Sequence, residues 1–546
     1  MTQQYYALPE TAMSITTPVR RRTALGTAAT LSLLPFVATS PLALAAEPGL
    51  RLGPPEPFGF EGLVERARQL AARPYVPPPM PAPEAVRRID YDAHDKLRFR
   101  PEYTLSGDGP GAFPVTFVFL GEFFPKSVRM HLLEGGVARE ILYSPDYFTI
   151  PEDSPARQLP ADANGFAGFW IRESRLADEA RRREVWASFL GGAYFRAVSG
   201  VGRWGMSARG VAVDVGGAGP EEFPDFVAHW ITPAATEDDP VVVHSLLDGP
   251  SLAGAFRFAI RRTAGTVMEV ENRLFVRRDV ERLGIAPLTS MFWFGEHGRE
   301  RPADGRPEVH DADGLAVWTG AGERIWRPLD NPTRIVVTSY LDDDPRGFGL
   351  GQRDRDFDHY LDGVGYEKRP SVWVEPLAGW GKGMVQLVEI PTDDEINDNI
   401  CAYWLPEKPA RAGDALGFRY RLHWLDAEPG FPADRLAKVV ATRTGRGGEP
   451  RKAHPRGSTK FCVEFLGEPL ARLAGGSPPE PVISVSRGSV SLVRTEPVPD
   501  GVPGHWRMFF DLAADGREPV EMRAFLRGGG GPLTETWLYL FEPPMA

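Results

Sequence analysis

Cysteine is nearly absent: Cys401 and Cys462 are the only two in 546 residues. Two thiols and ten scattered histidines form none of the spacings that hold zinc or iron, so no metal centre and no disulfide framework is expected. Cys401 lies in an apolar strand pattern where a buried free thiol is common, and both cysteines are read as unpaired. An excess of basic residues is missing as well. The 62 Lys and Arg against 73 Asp and Glu leave a net charge of −11, which argues against a nucleic-acid surface. No G-x-S-x-G elbow, P-loop or dinucleotide fingerprint occurs, and no cofactor is expected. Beyond residue 46, no stretch is long and apolar enough to span a bilayer. By elimination, acid and base chemistry carried by carboxylates is the best-supported enzymatic class.

The N-terminus has its own logic. Arg20, Arg21 and Arg22 precede an uncharged apolar run from Thr23 to Leu44, and Ala43-Leu44-Ala45 has the small-x-small form of a signal-peptidase site. Residues 1–46 therefore read as an export signal. The paired arginines suggest the twin-arginine route, although Thr23 stands where that signal usually has Phe. The mature protein is expected to be soluble outside the cytoplasm, in the periplasm of a cell with two membranes.

Short strands dominate the rest of the chain. Glu47 to Pro57 reads as a proline-rich lead-in, Phe60 to Ala72 as an amphipathic helix on the outside of a sheet, and Glu173 to Leu190 as the only other helix of any length. Runs such as Val115 to Phe119, Tyr194 to Val198, Val241 to Leu247 and Val267 to Phe275 are rich in β-branched and aromatic residues, with Gly, Pro, Asn and Asp between them. An all-β fold is predicted, with a large β-sandwich over 47–427. Leu416 to Trp424 reads as its last strand. A loop with two prolines and a glycine then leads to about seven short strands over 435–546, spaced like a small immunoglobulin-like sandwich.

The stretch Glu389 to Trp404 concentrates the acid chemistry. An apolar strand breaks at Pro391 into Asp393, Asp394, Glu395 and Asp398, then resumes as Ile400 to Trp404. Carboxylates flanked by aromatic residues suit polysaccharide cleavage, in which one donates a proton to a glycosidic oxygen and another manages a water. A solvated acidic turn reads the same way from this loop alone. Arg306 to Asp313 supplies a second cluster, where Asp311 and Asp313 flank a small residue and His310 can orient either; a calcium site or an Asp-capped turn is the bland alternative. Gln352 to Tyr360 is a third, equally readable as a self-neutralising surface. Gly165 to Trp170 and Phe189 to Arg196 mix glycines with rings, which offers either flat platforms for a ligand or tight packing within a sandwich.

Taken together, these blocks resemble the periplasmic glucan biosynthesis proteins of osmoregulated periplasmic glucan synthesis. The resemblance is carried by Tyr143-Ser-Pro-Asp-Tyr-Phe148, Leu190-Gly-Gly-Ala-Tyr-Phe-Arg196, Ser207-Ala-Arg-Gly210, Gly284-Ile-Ala-Pro-Leu-Thr-Ser-Met-Phe292, His310-Asp311, Arg327-Pro-Leu329, Arg369-Pro-Ser371, Trp380-Gly-Lys-Gly383, Glu389-Ile-Pro391 and Asp398-Asn-Ile400, and it covers about Phe60 to Leu538. The triple arginine, Trp373-Val-Glu-Pro376 and Ala441-Thr-Arg-Thr-Gly445 resemble the D members more than the G members. The resemblance implies a galactose-mutarotase-like sandwich followed by an immunoglobulin-like one, a linear β-1,2-glucan substrate and an anomer-inverting β-1,2-glucanase activity. It implies Asp398 as general acid, Asp311 as general base working through a relay that includes a substrate hydroxyl, and Tyr366 beside that relay. Trp326, Arg327, Arg369, Glu395 and Arg443 are read as substrate-binding, and a homodimer is plausible by resemblance alone. The loop Gly445 to Lys460 is shorter than in enterobacterial D members and lacks their aromatic residues. That leaves a cyclising transglycosylase, or a protein that only binds glucan, as the alternatives.

Overall fold

The computed structural model describes residues 49–543 except 108, 110, 161–164, 218, 299–303, 453, 456 and 474–476, so the export signal read over 1–46 lies outside the described residues. Strands are the dominant regular element among the described residues, as the alternating patterns predict, and the fold is an all-β sandwich. A ten-stranded sheet holds Val185–Leu190, Leu283–Ser290, Lys382–Glu389 and Ile400–Pro406. A sixteen-stranded sheet holds Leu252–Arg262, Thr266–Val276 and Ala415–Leu425. Phe189, Phe195, Leu288 and Trp404 from the first meet Phe256, Phe258, Val270 and Trp424 from the second in one core. Burial of these large apolar faces is what holds the two layers together.

The helix Phe60–Ala71 lies on the outer face of the larger sheet, where Leu63, Val64 and Ala67 pack against Trp230, Leu246 and Phe275. Both cysteines are free thiols. Among the described residues no helix is long and apolar enough to cross a membrane.

Two local expectations are corrected and two are refined. Glu173 to Leu190 is not a helix: a short turn at Arg181–Arg183 leads into the strand Val185–Leu190, which pairs with Gly168–Arg172. The alternation that buries Trp186 and Phe189 needs a period of two, and packing overrides the helical composition of the charged residues before it. The proline-rich lead-in contains an edge strand, Leu52–Pro57, paired with Val137–Ile141; prolines are tolerated there because an edge needs donors on one side only. Leu416 to Trp424, the last strand in chain order before the 426–434 loop, forms the strand Ala415–Leu425 and lies centrally in its sheet, between Thr266–Val276 and Ser371–Pro376. Finally, Gly445 to Lys460 is a hairpin whose ends belong to the strands Lys438–Arg446 and Ser458–Leu466.

Beyond Asp434, a four-stranded sheet covers a second core built on Phe461, Phe510 and Trp537. Thr536–Phe541 also pairs in parallel with Arg324–Pro328, setting Trp326 opposite Trp537, so the large sheet runs on into the C-terminal region without a break. Trp326 and Trp373 bury their rings in that second core.

Candidate active site

Three backbone segments set the site. Leu283–Ser290 pairs with Ile400–Pro406, so Thr289 stands opposite Cys401 and Ser290 opposite Ile400. The pairing slips by one residue between Ile285 and Leu288, where Ala286 takes φ +49°. A bulge of this kind re-aims the residues that follow it. Past Ser290 the chain offers the Met291 carbonyl to the Asp311 N–H at 2.8 Å. Phe292 then pairs with His310 across a short two-stranded ribbon.

On the other flank, Asn399 is 2 % exposed and spends its amide on backbone groups: Nδ2 donates to the Phe292 and Ile390 carbonyls, and Oδ1 accepts from the Phe292 N–H. Asp398 precedes this clamp, and the Thr289 hydroxyl is among the groups that favour its ionised form. The stretch Thr289 to Phe292 thus carries Asp398 on one side and Asp311 on the other.

Their electrostatics differ. Burial pushes Asp398 up to about 6, and the charge of Asp311 adds to the rise, while Arg209, the Thr289 hydroxyl and Arg196 oppose it. Asp398 is half-buried and crowded by protein, so its carboxyl is poorly solvated. Burial also raises Asp311, but Arg369, His310 and Arg196 work to keep it ionised. Arg369 Nη1 lies 3.3 Å from Asp311 Oδ1 without hydrogen-bond geometry, which leaves that buried oxygen with no hydrogen-bond donor among the described residues. Burial raises both carboxyls, and what sets them apart is the cations gathered on Asp311; a more readily protonated acid beside a cation-flanked base is the division of labour that glycoside hydrolysis uses.

Tyr366 and Glu395 complete the group. The Tyr366 hydroxyl donates to Glu395 Oε2 at 2.8 Å, Arg306 Nη1 reaches the same oxygen at 2.8 Å, and the Arg369 guanidinium lies 5.0 Å from the Tyr366 ring centroid. Burial, with Asp311 and Glu395 nearby, raises Tyr366 far above an ordinary phenol, so it remains a hydrogen-bond donor.

Of the residues singled out from sequence, Asp311, Asp398, Tyr366, Arg369 and Glu395 are brought together. Trp326, Arg327 and Arg443 are placed elsewhere. Trp326 sits under the Arg353 guanidinium at 3.6 Å, and Arg327 pairs with Glu389 at 2.7 Å in full burial. Arg443 bridges Glu296 and Glu464 at 3.2 and 2.8 Å. Among neighbouring charges, it is Asp311 that raises Asp398 most, ahead of Asp393 and Asp394 in its own loop. Tyr403 and Trp404 are core residues, Tyr403 bonding to Gln386 and Trp404 packing on Trp380. Arg209, Arg196, Thr289 and Asn399 were given no role from the sequence, although all four fall within the blocks that carry the resemblance.

The two glycine-aromatic segments divide by strand alternation. Phe169, Phe189 and Phe195 stack inside the core, with centroids 5.0 and 5.3 Å apart. Their neighbours Trp170, Leu190 and Arg196 face a cavity of about 70 Å³ that Tyr91, Phe123 and Phe124 also line. Arg196 joins this aromatic cavity to the acid pair, since its charge acts on both Asp311 and Asp398. Glu308, Asp354 and His359 bring ligand-type atoms within 4.8 Å of one another. His359 already meets Asp354 at 2.6 Å and Glu308 meets His310 at 3.0 Å, so the grouping is an ion-pair network and no metal is assigned to it.

The profile of the family described as "Periplasmic glucan biosynthesis protein, MdoG" matches residues 58–541. The chain belongs to this family. Within the periplasmic glucan biosynthesis family, it is 54 % identical over 530 residues to "Glucans biosynthesis protein D 2" of Ralstonia nicotianae, covering 96 % of this chain and 98 % of that one. It is 45 % identical to "Glucans biosynthesis protein D" of Xanthomonas campestris pv. campestris over 536 residues, 96 % and 98 % of the two chains. The protein of the same name from Stenotrophomonas maltophilia is 45 % identical over 517 residues, 94 % and 95 % of the two chains.

Proposed function

We propose that this protein is a periplasmic, anomer-inverting endo-β-1,2-glucanase that trims the linear backbone during osmoregulated periplasmic glucan biosynthesis, and that the twin-arginine route exports it. The observation that carries the reading is the pairing of Asp398, whose carboxyl is pushed up to about 6, with Asp311, whose carboxylate faces Arg369 Nη1 at 3.3 Å.

In the reaction, Asp398 gives its proton to the glycosidic oxygen as the bond from the anomeric carbon to that oxygen breaks. Water attacks the anomeric carbon from the opposite face, and its proton passes to Asp311. An inverting pair leaves roughly 6.5 to 9.5 Å between carboxyls for that water, and a relay through a substrate hydroxyl permits more. Tyr366 and Glu395 position the sugar beside the relay, and the rings of the Arg196 cavity give a flanking sugar an apolar face to rest on.

The test is incubation of the purified protein with linear β-1,2-glucan, followed by mass analysis of the products. Shorter linear chains support hydrolysis. Cyclic products, each lacking one water relative to the linear chain of the same length, replace it with transglycosylation. Bound but unshortened polymer leaves a glucan-binding protein.

A further inference from the structure

The proposed reaction makes no direct use of Glu308, His310 or Gln352, three side chains buried together beside Asp311. Their hydrogen bonds restrict where the protons can sit. Gln352 Nε2 lies 2.9 Å from the Tyr366 carbonyl, which can only accept, and 2.8 Å from the Tyr360 hydroxyl, which donates onward to the Asp354 carbonyl. The amide nitrogen must therefore point that way, which turns Oε1 towards His310 Nδ1, 3.1 Å off. An amide oxygen cannot donate, so Nδ1 carries a hydrogen.

On the other edge of the ring, Nε2 faces Glu308 Oε2 at 3.0 Å, a contact that needs one proton between the two atoms. Burial alone would favour a neutral ring. The hydrogen bond and charge of Glu308, with Asp313 and Asp354 adding to them, outweigh it and raise His310 above an ordinary imidazole. Glu308 is correspondingly lowered: burial works to raise it, but the bond and charge of His310 prevail, helped by His359 and His297. Phe292 stacks on the ring at 5.3 Å and Tyr360 meets it edge-on at 5.3 Å, which leaves His310 fully buried. On the Asp311 side the other charges are Arg369 and Arg196, which favour its ionised form, and Glu395 and Asp398, which oppose it.

We propose that His310 stays an imidazolium through neutral pH, clamped between Glu308 and Gln352, and acts as a positioning residue that keeps Asp311 ionised as the base and fixes Tyr366 next to it. The link to Tyr366 is direct, because the same Gln352 amide holds the Tyr366 carbonyl. The duty given to Asp311 rests on the hydrolytic reading; the protonation of His310 does not.

Two measurements separate these. Nitrogen-15 spectra of the full chain labelled at histidine, with His310→Gln to assign the signal, are expected to show both ring nitrogens protonated well above pH ~6.5, the ordinary midpoint. A single neutral tautomer at pH 7 overturns the proposal. Glu308→Gln keeps the shape and removes the countercharge. In that variant the acidic limb of the pH–rate profile on linear β-1,2-glucan is expected to rise by about one unit with KM little changed, because a neutral ring no longer helps Asp311 lose its proton. An unmoved limb, while the ring has become neutral, overturns the positioning role. If the wild type does not hydrolyse glucan, the carbon-13 titration of the Asp311 carboxyl in wild type and Glu308→Gln takes the place of the rate profile. The same upward shift is then expected, and its absence overturns the coupling.

Discussion

Asn399 holds Phe292 by both of its backbone groups, donating to the carbonyl at 2.9 Å and accepting from the N–H at 2.8 Å. Phe292 in turn pairs with His310, so the residue after Asp398 is tied to the residue before Asp311 through a single peptide strand. The convergence of the two aspartates is therefore built from one buried side-chain amide and a short backbone ribbon, not from contacts between the two carboxyls themselves.

This clamp makes Asn399→Ala informative. It leaves the buried Phe292 N–H without a partner, and the expected loss of stability is about 2–4 kcal/mol, read from urea unfolding. Catalysis on linear β-1,2-glucan is expected to fall by a larger factor than the stability loss explains, because Asp398 loses its setting. A variant that loses stability but keeps its rate would show that the clamp serves the fold alone.

The titration of Asp398 gives a pH dependence with a definite sign. A general acid must be protonated, so activity is expected to decline as pH rises through about 6. Asp398→Asn is expected to lower the rate by at least ~10²-fold; an undiminished rate removes Asp398 from the role. In Asp311→Asn a neighbouring negative charge disappears, and the Asp398 midpoint is expected to drop below about 6 in a carboxyl carbon-13 titration.

Tyr366→Phe removes one hydroxyl from Glu395 and leaves Arg306 in place at 2.8 Å. A hydrogen bond to a charged group contributes about 1.5–3 kcal/mol, so a fall in kcat of about 10- to 100-fold is expected if Glu395 positions the sugar. The melting temperature is expected to stay close to that of the parent. Unchanged kcat would leave the Tyr366 to Glu395 contact as a purely structural one.

Arg327 gives a contrasting case. It is buried against Glu389 at 2.7 Å, and Arg327→Met leaves that carboxylate without its partner. The expected cost is about 3–5 kcal/mol of stability, read from urea unfolding, with KM for glucan unchanged in the folded fraction. A raised KM at full stability would instead give Arg327 a place on the sugar.

Much of the site was legible in the sequence. The acidic loop after Pro391 and the cluster around Asp311 stand out as carboxylates interrupting strand patterns, and the platform at Phe189 to Arg196 was visible as a mixture of rings and glycine. Trp326, Arg327 and Arg443 show the limit of such reading. Charge beside an aromatic ring marks a sugar site and a structural cation-π or ion pair equally well, and the contacts of these three are of the second kind. The misread helix before Leu190 has the same origin, since local composition carries no record of the partner strand.

The sequence by itself determined the all-β class, the amphipathic helix at Phe60, the unpaired thiols and the chemistry available, because periodicity and residue type are local properties. Only the tertiary structure decided which carboxylates act on each other. Asp398 takes its raised midpoint from burial and from Asp311, ahead of Asp393 and Asp394 in its own loop. Electrostatic coupling depends on distance through space, and here that distance is set by a strand bulge at Ala286 and a buried amide at Asn399.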